Sequence, residues 1–305
     1  MSIEKLRNVE SKALLLFRDM NSMRKYLRIV GRTYSLRWYN SYIVFDEGED
    51  VTEINTESEW IRSGYNIVNN NNAYNILIPK RKTEFISNET GEHIDINHLT
   101  EDELGQALLK KYIYKRSYTA DLKECLVYDI SCTNKEFAPL NMDDETRAKV
   151  MNKLSEIYGV QANTLKELIF KVTMHVVYRV RKGSEVNSAI IKPSDVTVIT
   201  TSAAYAIASR LFIDDNFGID DAFNGWLHYL NGNVKDKEVL ASRYLRCLDQ
   251  ISLVCNEILS HIEEFLGTST VVSEEIIDKN YNLMDLLKAA EADWVNRRIH
   301  EDKLK

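Results

Sequence analysis

Glycine and proline are scarce in this chain, at 11 and 3 of 305 residues. That scarcity disfavours an all-β fold, whose tight turns need both residues at special dihedral angles. The four cysteines, Cys125, Cys132, Cys247 and Cys255, contain no Cys-x-x-Cys pair, so reduced thiols are expected rather than a zinc knuckle or a disulfide framework. No run approaches the ~18 apolar residues of a membrane span. The N-terminal MSIEKLRN lacks the apolar core of a signal peptide. Neither export nor membrane insertion is therefore expected, and the reading is cytoplasmic. A glycine-rich phosphate loop is also missing, and Ser35, Ser131 and Ser202 have no recognisable His/Asp partner pattern.

What is present is a chain long enough for one large or two ordinary domains, 44% hydrophobic, with a net charge of −7. The charge is unevenly spread. Residues 1–45 hold nine Lys/Arg against three acids, whereas residues 46–59 hold seven acids and no base. A local basic patch can attract a polyanion whatever the total charge. Two solvated faces that offset one another are the plainer alternative.

Apolar spacing predicts a helix over 2–30, a second over 34–45, and a short one over 56–63, with Thr56 and Glu59 as a capping box and Gly64 as its end. Two β-like runs, 65–68 and 73–79, flank Asn69–Asn72 as a hairpin turn. Residues 80–99 read as polar loop, 101–116 as helix and 125–131 as strand. From Asp143 onward the pattern is helical: 143–158, 163–181, 194–213 and 236–266, with a short helix near 218–232 and Gly267 as a stop. The fold class is thus α+β: a mixed domain over 1–140, then a mostly helical one over 141–305, meeting near 138–142.

Several pieces occur in a telling order: Tyr34-Ser35, Trp60, Gly64, Ile76-Leu77-Ile78-Pro79 and VYDIS at 127–131. Later come Phe170-Lys171-Val172-Thr173-Met174-His175 and Ser202-Ala203-Ala204-Tyr205. Over about residues 10–265 this order resembles ArdC-type antirestriction proteins. The resemblance implies an N-terminal domain that binds single-stranded DNA, a zincin-like C-terminal domain, and an origin in a phage, plasmid or conjugative element. Where the family reads Phe-His-Glu-x-x-His, this chain has Lys171 for the first histidine, Val172 for the glutamate and only His175 remaining. Thr201 or Ile199 stands at the position of the later acidic ligand, and VYDIS runs on as Ser131-Cys132-Thr133 where relatives carry Ser-Gln-Thr. About five residues, Gly159–Asn163, replace the family's small β-sheet.

A zincin needs two imidazoles one helical turn apart and a glutamate between them as general base. An ammonium has no lone pair to offer a dication. The chain is therefore expected to hold no metal and no cofactor and to catalyse nothing. His175 is expected at the edge of a core stripe made by Leu165, Leu168, Ile169, Val172 and Val176, as a packed, hydrogen-bonded histidine. His93 and His98, near Glu92 and Asp95, read as parts of a solvated loop rather than as metal ligands.

Single-strand binders join a cationic groove to aromatic stacking faces. Residues 24–42 supply Arg24, Lys25, Arg28, Arg32 and Arg37 together with Tyr26, Tyr34, Trp38, Tyr39 and Tyr42. Lys80, Arg81 and Lys82 are a second basic run for the same ligand. At least two of Tyr34, Trp38 and Tyr42, at spacing four, are expected in the core. The leading expectation is a non-catalytic accessory or anti-defence protein that binds single-stranded DNA. The alternative is an inhibitor that binds a host defence or replication protein without touching nucleic acid.

Overall fold

The structure is a computed structural model describing residues 2–48, 51–95, 99–136, 142–183, 191–214 and 216–267. It is mixed α+β. Residues 3–76 and 125–267 belong to one compact unit and residues 77–124 to a second. The division expected near 138–142 does not separate compact units, because residues on both sides of it lie in the first; residues 138–141 themselves fall outside the described residues.

The first unit is organised around a buried helix, α8 (Val196–Arg210), in which twelve of fifteen residues are buried. A helix buried around most of its circumference must be covered on most sides. It packs against α2 (Met20–Arg32), α7 (Leu165–Gly183), α9 (Ile219–Asn233) and α10 (Lys237–Leu266). The α2 contact is unusually close. A Cβ added at Gly31 would lie 2.2 Å from the Ala206 carbonyl oxygen.

The N-terminal helices thus share a core with the C-terminal ones. Phe17, in the short 3-10 turn Leu14–Arg18, stacks on Tyr244 at 4.3 Å and on Phe223 at 5.5 Å. The Tyr34 hydroxyl donates to Glu263 at 3.1 Å, and Arg210 Nε bonds the same buried carboxylate at 2.7 Å. Burial together with that carboxylate pushes the Tyr34 phenol above its ordinary range. Asp195 accepts from Trp226 Nε1 at 2.8 Å and pairs with Arg243. These buried charges are paired, as desolvation requires.

The predicted helix over 2–30 is broken. α1 (Ser2–Ala13) gives way to the 3-10 turn, and Asp19 then caps α2 by accepting from the Asn21 and Ser22 amides. α3 spans Trp38–Glu47 and α4 spans Glu57–Arg62. Thr56 caps α4, but the Glu59 carboxylate pairs with Arg62 at 2.8 Å, so half of the expected capping box forms. A full capping box instead joins Thr100 and Glu103 at the start of α5 (Glu101–Leu109). α6 (Asp144–Tyr158) runs from its Asp143 cap to Gly159, and α10 ends at Gly267; both glycines are left-handed.

The expected hairpin at 69–72 does not form. Ile67 bridges to Thr133, and the Asn72 side chain donates to Ser131 Oγ at 2.8 Å. The segment before the turn therefore joins the 130–134 region rather than the strand after it. The sheet order is β1 (Ile54–Asn55), β4 (Ile113–Asp129), β2 (Ala73–Ser87) and β3 (His93–Ile94). Residues 80–87, expected as loop, continue β2, and β3 folds back on it with Phe85 opposite Ile94. The helix expected to 116 stops at Leu109. Lys111 then adopts a positive φ of 56°, and β4 begins.

Two outcomes test this packing. Gly31→Ala is expected to cost about 3 kcal/mol or more, read from the urea midpoint, because a backbone carbonyl blocks the methyl. A loss below about 0.5 kcal/mol would mean that the two helices can part freely.

Asp249 of α10 gives the second. Burial pushes its carboxyl up to about 6 against the pull of Arg37. The folded state therefore keeps this proton to higher pH than the unfolded state, and stability falls as pH rises from about 4 to about 6. Between pH 4 and 7 the unfolding free energy of Asp249→Asn should move in the variant's favour by ~2–3 kcal/mol relative to wild type. Denaturant titrations at several pH values measure this, and a constant difference would refute it.

Candidate functional site

The arginines expected to meet phosphate are largely engaged inside the first unit. Arg24 pairs with Asp220 of α9. Arg28 Nε donates to the Tyr205 hydroxyl of α8 at 3.0 Å, although its side chain stays exposed. Arg32 donates to the Val51 carbonyl at 2.7 Å. Arg37 lies beside buried Asp249. Lys25 is exposed. Tyr26, Tyr34, Trp38, Tyr39 and Tyr42 are all buried, so the expected core reading extends to all three aromatics at spacing four. None of these rings presents a face on which a base could stack.

Lys80, Arg81 and Lys82 lie on β2 in the second unit, with Lys80 exposed. The same unit carries an aromatic pair outside the expected set. Tyr112 and Tyr114 are 65% and 44% exposed and flank buried Ile113. Tyr112 is the bend residue immediately before β4, and Tyr114 is the second residue of the strand. Lys110 and Lys111 beside them are exposed. The Asn88 amide donates to the Tyr112 carbonyl at 2.9 Å, which sets the tyrosines opposite the far end of β2, about 26 Å of strand from Lys80. The sequence signal was there: KKYIYKRSY, 110–118, holds four bases, three tyrosines and no acid. Reading it as the end of a helix hid the alternation.

The positions that the resemblance aligns with metal-site residues are on α7 and α8. Lys171 Nζ bonds Glu167 at 2.7 Å and the Gln161 carbonyl at 3.1 Å. That hydrogen bond, with a second from the Asn163 amide, holds the Glu167 carboxyl below its ordinary range. Val172 is fully buried, and Thr201 Oγ1 donates to its own helix at Thr197 (3.0 Å) and Val198 (3.2 Å). His175 corrects the expectation of a core histidine. It is exposed, its ring edge-on to Tyr158 at 6.2 Å. At 100° per residue it falls well off the centre of the buried stripe, which Leu165, Leu168, Ile169, Val172 and Val176 do form. His93 Nδ1 lies 3.3 Å from Glu84, while His98 falls outside the described residues. Among the described residues no three His, Cys, Asp or Glu side chains cluster as metal ligands, and no helix is long and apolar enough to cross a membrane.

No protein-family model, curated protein or solved structure matches the chain.

With an ammonium, a buried valine and an inward-turned hydroxyl at the three positions, the purified protein should hold well under one zinc per chain by elemental analysis. A ratio near one, retained through dialysis against a weak chelator, would overturn this.

Proposed function

We propose that the protein is a non-catalytic accessory or anti-defence protein of a mobile genetic element that binds single-stranded DNA in the host cytoplasm, with the principal contacts on the strands of the second unit. The observation that carries this reading is the exposed pair Tyr112 and Tyr114 beside Lys110 and Lys111. Every base offers a π-face, so stacking on aromatic side chains with cations alongside recognises single strands without regard to sequence. Lys80, with Arg81 and Lys82 after it in sequence, extends the positive charge along the neighbouring strand. In this reading Arg24, Arg28 and Arg32 contribute mainly to packing. The mobile-element origin and the zincin-like ancestry of the helical part rest on the resemblance to ArdC-type proteins. The residues at Lys171, Val172 and Thr201 support a domain kept for its shape rather than its chemistry.

Fluorescence anisotropy with a labelled oligothymidylate at two salt concentrations tests the proposal. Binding should be moderate and should weaken steeply with salt, because each neutralised phosphate releases counterions. Tyr112→Ala/Tyr114→Ala should weaken it by about tenfold or more, since each stacked base contributes ~1–3 kcal/mol. Lys110→Glu/Lys111→Glu should flatten the salt dependence. Absence of binding by wild type at low salt, or wild-type affinity in both variants, would leave the host-protein inhibitor as the better reading.

A further inference from the structure

Helix α7 is apolar on two opposite sides. Leu165, Leu168, Ile169, Val172 and Val176 face the core. Phe170, Met174 and Tyr178 recur every four residues about half a turn away from them. Met174 and Tyr178 are 38% and 43% exposed, and Phe170 is half-buried. A surface helix ordinarily carries polar residues on its outer side, and an outer apolar stripe needs its own explanation.

The stripe is the floor of a trough. Phe170 stacks on Phe217 of the loop before α9 at 6.4 Å, with the rings 7° from parallel, which raises a wall at one end. Val160 and Tyr178 border the other end. Two recesses of about 720 and 570 Å³ follow one another along the helix and share Lys171 and Met174. From Lys166 to Arg179 the trough runs about 20 Å, the length of three to four helical turns. Its lining charges are Lys166, Lys171 and Arg179, with His175 between the last two, against the single carboxylate of Glu167. Lys171, His175 and Arg179 repeat every four residues and so form a polar stripe directly beside the apolar one.

We propose that this trough is a docking site for an acidic amphipathic helix of a partner protein. Apolar anchors at i, i+4 and i+7 of such a helix would fill the two recesses, as in other helix-in-groove complexes. Its carboxylates would meet Lys171 and Arg179, which already hold acids of their own chain, Glu167 and Glu257, in exposed pairs able to open toward a second carboxylate. A second copy of this chain fits less well. A two-fold contact through the trough would set two positively charged linings against one another.

The probe is a fluorescein-labelled, helix-stapled peptide of about eighteen residues with leucines at i, i+4 and i+7 and glutamates flanking them, titrated with the full chain. A counterpart with lysines in place of the glutamates is the control. The acidic peptide should bind at least about tenfold more tightly than the basic one. Met174→Asp/Tyr178→Asp should weaken it by about tenfold or more. These side chains are exposed, so the variant should keep the wild-type melting temperature. Lys171→Glu/Arg179→Glu is a second variant that reverses the charge of the polar stripe; with its fold confirmed by circular dichroism, it should reverse the preference between the two peptides. Oligothymidylate binding should be unchanged in both variants. Equal binding of the acidic and basic peptides would overturn the proposal, as would wild-type affinity in both variants. So would a dimer in sedimentation equilibrium that Met174→Asp/Tyr178→Asp abolishes, or loss of oligonucleotide binding in either variant.

Discussion

The helical packing of the first unit depends on covering α8. Twelve of its fifteen residues are buried, so other helices must close over most of its surface, and four pack against it. The tightest of these contacts is Gly31 against Ala206, where only a hydrogen on the glycine leaves room for the carbonyl. That approach brings α2 within reach of residues far along the chain: Arg24 of Asp220, Arg28 of Tyr205. A helix from the first tenth of the sequence is thereby part of the same core as helices from its second half. Among the described residues the pattern is helical from 142 onward, yet this marks a change of secondary structure and not of compact unit.

This packing decides which features of the N-terminal region remain open to ligands. The aromatic side chains of residues 26–42 fill the core around α2 and α3, and burying rings of that size is among the largest apolar contributions available to the fold. The neighbouring arginines then satisfy hydroxyls, carbonyls and carboxylates at the edges of that core. A basic and aromatic segment can be an electrostatic surface or a well-stapled core, and composition does not separate the two. Burial does. In the second unit, Tyr112 and Tyr114 have no such core to enter, since the alternate position, Ile113, is the one that turns inward.

The helices were legible because their boundaries carry local chemistry. Asp143 accepts from the Thr146 amide, and Gly159 and Gly267 stop their helices in the left-handed region. The periodicity of α10 is long enough to leave one interpretation. The strands were less legible because β2 and β4 run through polar, charged sequence whose alternation is weak in residues 80–87 and 113–118. The four asparagines misled for a different reason. Asn69 and Asn72 have the right turn chemistry, but their side chains bond to the Ser131 carbonyl and the Ser131 hydroxyl, and such long-range partners are invisible to a local reading. On α7, the buried stripe was correct and the position of His175 was not. A shift of one residue from Met174 or Val176 changes the direction of a side chain by 100°, so a residue at the edge of a stripe is placed by its neighbours rather than by the period.

The same helix geometry decides what the side chains of α7 can do together. Two side chains four apart share a side of a helix and open to the same space. Histidines at 171 and 175 would converge on one ion; a lysine and a histidine there leave a cation and a ring beside Met174 and Tyr178. Lys171 turns to Glu167 and to the Gln161 carbonyl, which secures the start of α7 against the short link from α6. Val172, one residue on, points into the core and adds packing where a general base would need solvent and substrate. Each side chain thus suits its own direction on the helix: Val172 is apolar and buried, and Lys171 is outward and paired with Glu167. What that arrangement does not absorb is the apolar stripe of Phe170, Met174 and Tyr178. Phe170 has a partner in Phe217, but Met174 and Tyr178 are exposed, and the regular spacing of the three along an open trough is the property that a helical partner would read.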